Sequence, residues 1–183
     1  MSTRKTPAGT RLELLLAAGR LVQTSGVRTL TLDAVAREAG VSKGGLLYHF
    51  PSKDALITGM IDHVLADFDV LLAQELAADN GPVAGRWLRA YIRATFALNQ
   101  ADSELTGALL AAIGSDPALL APVREHFAVW QLQAEADGLD PTLATLLRLA
   151  TDGLWFADLF GLAPPPPEAR AQLMERMLAL ANA

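Results

Sequence analysis

The stretch Thr31–Lys53, TLDAVAREAGVSKGGLLYHFPSK, decides the fold. Thr31 is a fitting N-cap for a short helix carrying Leu32, Val35, Ala36 and Ala39 at helical intervals, and Gly40 ends it. Ser42 caps the next short helix, which runs to about His49 before Pro51-Ser52 breaks the chain. Two short helices joined by a tight glycine-containing turn form a helix-turn-helix. In that motif the second helix enters the DNA major groove while the first braces against the backbone. Val35, Ala36, Ala39, Val41, Leu46 and Phe50 are the candidates for the buried seam, the two alanines being small enough for close helix approach. Lys43, Gly44, Gly45, Leu47, Tyr48 and His49 remain to be divided between core and DNA.

Outward from this stretch the hydrophobic pattern stays helical, with no sustained alternation of the kind a strand requires. A first helix is expected from about 8 to 24. A fourth, capped by Ser52, reaches about 79, where Asn80-Gly81-Pro82 interrupts it. Further helices are expected at about 83–100, 103–113, 117–137, 141–161 and 167–181, punctuated by Ser115-Asp116-Pro117, Asp140-Pro141 and the run Pro164–Pro167. The fold class is therefore all-α with about nine helices: a three-helix head over residues 1–54 and a helical bundle over 55–183.

Charge divides at the same place. Residues 1–54 hold eight basic and four acidic side chains, +4; residues 55–183 hold seven and sixteen, −9. A net charge of −5 thus conceals a basic head on an acidic body, the arrangement of a nucleic-acid-binding unit joined to something else. Arg4 and Lys5 in the tail are further candidates for phosphate or minor-groove contact. Arg11, Arg20, Arg28 and Arg37 are ordinary surface charges unless they lie on the DNA side.

The segments AREAGVSKG and LLYHF, followed by a helix starting SKDAL, resemble the TetR family of bacterial transcriptional regulators, the likeness covering about residues 10–60. The resemblance implies a homodimer that binds double-stranded operator DNA of roughly palindromic sequence, with a small-molecule effector in each C-terminal body. Carried over by position, Thr31 caps the second helix and contacts phosphate, and Ser42 and Lys43 start the recognition helix. Tyr48 and His49 contact backbone or base edges, and Lys53 clamps a phosphate. Gly44 and Gly45, poor choices for a helix interior, suit a close approach of backbone to DNA. Leu47 departs from the family's frequent tyrosine, exchanging a hydroxyl donor for a methyl contact with thymine.

In the body, Trp87, Tyr91, Leu109, Ile113, Phe127, Trp130 and Phe156 supply large apolar surface with a few polar tips, and the resemblance makes them the candidate lining of an effector site. Arg86, Arg89 and Arg93 fall on the opposite face of the fifth helix and are expected to meet solvent or a partner. The last two helices offer Leu147, Ala150, Leu154, Ala157, Phe160, Leu173, Met177 and Leu180 as a dimer interface, with Phe156 beside them and Asp152 and Asp158 pairing or capping across it.

Other functions find little support. The chain has no cysteine, which removes disulfides, thiolate metal sites and thiol nucleophiles. No nucleophile elbow, HExxH helix or phosphate loop occurs, so neither an enzyme nor a cofactor nor a metal is expected. His63 and Asp67 at i, i+4 are too few for a metal site. A polar, basic start with no apolar run behind it and no membrane-length segment point to a cytoplasmic protein without a membrane partner. The expectation is a ligand-responsive repressor; the alternatives are a helical interaction protein that has lost DNA binding and, further off, a small all-α enzyme.

Overall fold

The computed structural model describes residues 6–26, 29–98, 106, 107, 109 and 116–182. Among them it is all helical: α1 (Pro7–Ser25), α2 (Leu32–Glu38), α3 (Lys43–His49), α4 (Lys53–Ala78), α5 (Arg86–Ala97), α6 (Ala121–Glu135), α7 (Pro141–Phe160) and α8 (Pro167–Leu180), with a 3-10 turn over Pro117–Leu120. No described helix is long and apolar enough to cross a membrane. The helix expected over 103–113, together with Arg4, Lys5, Arg28 and Ile113, lies largely or wholly outside the described residues.

The helix starts follow from capping chemistry. Thr31 Oγ1 accepts from Ala34 N at 3.2 Å, Ser42 Oγ from Gly45 N at 3.1 Å, Ser52 Oγ from Ala55 N at 3.0 Å and Asp140 Oδ1 from Leu143 N at 3.0 Å. Each satisfies a backbone N–H that has no partner inside its helix. The fifth helix begins three residues later than the sequence pattern suggests, because Gly85 takes a left-handed conformation (φ 74°) and gives its N–H to Asp137 O at 2.8 Å. Asp137 then caps α5 from outside, its carboxylate accepting from Trp87 N and Leu88 N at 2.8 Å each. Pro117 and Pro122 leave the sixth helix an opening 3-10 turn capped by Asp116.

The chain forms two compact units, residues 1–64 with 104–123 and residues 65–103 with 124–183, so α4 begins in one and ends in the other. The first unit buries Leu14, Leu15 and Val22 of α1, Val35 and Ala36 of α2, Leu46 and Phe50 at α3, and Leu56, Ile57 and Met60 of α4. Gly59 makes room for this packing: a Cβ there would stand 2.7 Å from the Phe50 ring. In the second unit α5 packs against α7 and α8 and buries eight of its twelve residues.

Arg89 corrects the reading of α5. Its side chain is 1% exposed and pairs with Asp79, itself equally buried, while Arg93 donates to the same carboxylate at 2.7 Å. The helical wheel separates the arginines from the aromatic face correctly. What it does not show is that the middle of the opposite face, at Arg89, is covered by the end of α4 and the end of α8, while Arg86 stays exposed.

Candidate nucleic-acid interface and effector site

The turn between α2 and α3 is held by Val41 N donating to Ala36 O at 2.9 Å, with Gly40 in the left-handed region at φ 68°. An L side chain is disfavoured there, so glycine fixes the angle at which α3 leaves α2. Leu46 and Phe50 anchor the inner side of α3. Lys43, Gly44, Leu47 and Tyr48 stand on its outer side, at positions i, i+1, i+4 and i+5, and all four are exposed. Tyr48 is 80% exposed, so it belongs to the outer face and not to the core. Its ring meets His49 edge-on at 5.0 Å.

The Lys43 ammonium lies 3.0 Å from Asp33, with both side chains more than half exposed. A pair of that kind is worth about 0–1 kcal/mol, which a phosphate can readily outbid. Thr31 and Ser42 use their oxygens as acceptors in capping, and each hydroxyl keeps an O–H to donate outward. Gly44 leaves open space: a Cβ there would meet no atom within 4 Å, whereas one at Gly45 would lie 3.3 Å from Ser42 Oγ. Lys53, at the start of α4, is half-buried. Arg11 lies over the Phe50 ring at 5.0 Å.

In the second unit the aromatic side chains form a cluster. Trp87 stacks on Tyr91 at 4.9 Å, Phe68 meets Tyr91 and Trp130 edge-on at 5.5 and 5.0 Å, and Phe127 lies 5.0 Å from Trp130. Two of the polar tips on these rings are answered by carboxylates. Trp130 Nε1 donates to Asp69 at 2.9 Å, and Tyr91 Oη donates to Asp152 at 2.7 Å. Arg148 holds the other Asp152 oxygen at 2.5 Å and also donates to Gln131, which reaches Thr145 at 2.8 Å. Burial pushes the Tyr91 hydroxyl far above the ordinary tyrosine range, with the Asp152 charge adding to it. Burial also raises Asp152, against the Tyr91 hydrogen bond and Arg148.

The structure thus brings together Trp87, Tyr91, Phe127 and Trp130 of the expected effector lining. Leu109 is buried in the first unit. Phe156 leaves the list: it is exposed, stacked on Phe160 at 5.8 Å on the outer side of α7. Phe68, Asp69, His126 (3.5 Å from Asp69), Arg148 and Gln131 are not singled out by the sequence, which marks Asp152 only as a pairing or capping residue; the i, i+4 spacing of Arg148 and Asp152 is the sign of their pairing. An open polar depression of about 420 Å³ lies elsewhere, among Glu75, Asn80, Gly81, Arg93 and Asn182; its charged and amide walls are not those of a site for an apolar molecule. Among the described residues no group of three acidic or histidine side chains is placed to hold a metal.

The interface residues also divide. Leu147 and Met177 are core of their own protomer; Leu154, Ala157 and Leu180 are half-buried; Ala150, Phe160 and Leu173 are exposed. Asp152 and Asp158 do not wait for a partner either, since Asp158 pairs with Arg170 of α8 within the chain.

Comparison with known proteins agrees with this geometry. The profile described as "Bacterial regulatory proteins, tetR family" matches residues 14–60, and "Tetracyclin repressor-like, C-terminal domain" matches residues 85–182, more than half the chain. The chain belongs to the TetR family. It is a TetR-type transcriptional regulator, a helix-turn-helix protein and not an enzyme. Similar proteins include the HTH-type transcriptional regulator BetI of Burkholderia thailandensis, 29% identical over 87% of this chain and 72% of that one. A TetR-family structure from Streptomyces coelicolor shares 26% identity at a TM-score of 0.71, covering 92% of this chain and 97% of that one. The multidrug binding protein EbrR, complexed with malachite green, shares 26% identity at a TM-score of 0.66, covering 91% and 96%.

Proposed function

We propose that this TetR-family chain is a ligand-responsive repressor acting in the cytoplasm, where its homodimer binds a roughly palindromic operator. Residues 1–54 are the DNA-binding head and residues 55–183 the ligand-binding and dimerisation body. The observation that carries the reading is the outer face of α3, where Lys43, Gly44, Leu47 and Tyr48 are exposed together beside the capping hydroxyls of Thr31 and Ser42. Lys43 and Lys53 supply the salt-dependent phosphate term, Gly44 lets the helix backbone approach, and Leu47, Tyr48 and His49 reach base edges or sugar.

The dimer sets two such helices about 34 Å apart, one turn of DNA, for successive major grooves. A small, mostly apolar inducer binds in the body near Trp87, Tyr91, Phe127 and Trp130, moves α4 and spoils that spacing. EbrR supports this part of the reading through its complexes with malachite green and ethidium. Exposed apolar residues of α7 and α8, with Ala150, Phe160 and Leu173 among them, meet a second copy.

Selection of bound sequences from a random DNA pool tests the proposal. It predicts recovery of an inverted repeat with half-sites about one helical turn apart. Recovery of no common sequence at moderate salt overturns it.

A further inference from the structure

We infer that two copies of this chain cross at Gly153, with their α7 helices antiparallel and the two-fold axis passing beside that glycine. The inference rests on the dimer proposed above and specifies its geometry.

Gly153 stands in the interior of α7, on its exposed side, with an ordinary helical backbone. Glycine is the poorest helix former after proline, so its use in a helix interior asks for a compensating contact. Among the described residues nothing supplies one: a Cβ at Gly153 would meet no atom within 4 Å. The residue is needed neither for a turn nor for packing inside the protomer. A second helix passing close over that point gives the missing side chain a use.

The surroundings indicate which helix. At 100° per residue, Leu146, Leu149, Phe156 and Phe160 fall on the same side of α7 as Gly153. They are 61%, 54%, 39% and 49% exposed, an apolar stripe that no other part of the described chain covers. Three exposed side chains, Ala150, Phe160 and Leu173, are too few for a stable interface, which takes roughly 800 Å² per partner, and this stripe is what enlarges the patch.

The stripe is also its own complement. Leu146 lies seven residues before Gly153 and Phe160 seven after; Leu149 and Ala150 lie four and three before, Phe156 and Ala157 three and four after. A two-fold contact pairs residue i with residue j and j with i, so an antiparallel crossing at Gly153 sets Leu146 against Phe160 of the partner subunit, twice. Large side chains then flank a central gap on both helices, and the backbones meet at that gap.

The natural chain has no cysteine, so single thiols introduced into the full-length protein report this geometry directly. A disulfide needs Cα atoms within about 7 Å. Gly153→Cys is expected to give a disulfide-linked dimer under mild oxidation. Leu146→Cys alone and Phe160→Cys alone stay unlinked, since each residue and its own symmetry mate are roughly 20 Å apart along the crossing helices. An equimolar mixture of those two variants links. Phe160→Glu, at an exposed position that leaves the fold intact by circular dichroism, raises the dimer dissociation constant at least tenfold.

If Phe160→Glu leaves the protein as dimeric as before, α7 is not in the interface and both readings of it fall. If Phe160→Glu dissociates the dimer while Gly153→Cys and the mixture remain unlinked, the interface stands and the crossing at Gly153 is wrong.

Discussion

Asp79 and Arg89 form a buried bidentate ion pair, with Nη2 2.7 Å and Nε 3.0 Å from the two carboxylate oxygens. The remaining guanidinium donors go to the carbonyls of Pro82, Ala84 and Ala181, so all five N–H groups are used. One side chain thereby ties the end of α4, the loop before α5 and the end of α8.

Breaking one half of such a pair strands the other charge in the interior. Asp79→Asn and Arg89→Met are each expected to cost about 3–5 kcal/mol, with a fall in Tm of roughly 6–20 °C. Urea and thermal unfolding followed by circular dichroism measure this.

The Arg89 hydrogen bonds, helped by Arg93 and Gly81, hold the Asp79 carboxyl well below the usual carboxylate range. A group whose pKa is lower folded than unfolded stabilises the fold above its unfolded value, near 3.9, and loses that contribution as pH falls below it. The stability difference between the wild type and Asp79→Asn is therefore expected to be constant from pH 8 to about pH 5 and to shrink below about pH 4. Denaturant titrations at stepped pH check it.

Gly85 sits at φ 74°, and a Cβ there would lie 1.8 Å from Ala181 O, the carbonyl that Arg89 also holds. Gly85→Ala must strain the backbone by about 1–2 kcal/mol and push the end of α8 away as well. The expected result is a loss of at least 2 kcal/mol, on the order of a cavity-forming core mutation. Equilibrium unfolding measures it.

Tyr91 and Asp152 satisfy each other at 2.7 Å where both are largely buried. Tyr91→Phe removes the donor and leaves a carboxylate oxygen short of a partner, a loss of about 1–3 kcal/mol. Asp152 is raised by burial, so its penalty as an anion is relieved by acid. The Tyr91→Phe deficit is expected to narrow as pH falls, because the variant's Asp152 takes up its proton more readily still once the Tyr91 hydrogen bond is gone.

Much of the head was legible because its determinants are local. Thr31, Ser42 and Ser52 each sit three residues before the N–H they cap, and Gly40 occupies the one turn position that requires positive φ. The body was less legible because its determinants are distant in sequence. Nothing near Arg89 shows that Asp79 will face it across Asn80-Gly81-Pro82, or that Asp137, 50 residues from Trp87, will cap α5. Apolar spacing places Leu147 and Phe160 on one helix but does not say which side meets α5. On spacing alone Leu147 therefore reads as interface and Phe156 as pocket lining.

Gly44 separates folding from DNA binding. With open space around it, Gly44→Ala is expected to stabilise the free protein by about 0.5–1 kcal/mol through helix propensity. A methyl group between helix and DNA is expected to weaken operator binding at the same time. Thermal unfolding and fluorescence anisotropy on the same sample report the two effects.

The most direct test of α3 as the reading head is the salt dependence of DNA affinity for the wild type and Lys43→Ala, on the selected operator and on random DNA. Wild type is expected to favour the operator by at least a thousandfold. Lys43→Ala should reduce operator affinity and lower the slope of log K against log salt by about one. Equal wild-type affinity for operator and random DNA, or a Lys43→Ala curve that overlays the wild type on the operator, would contradict it.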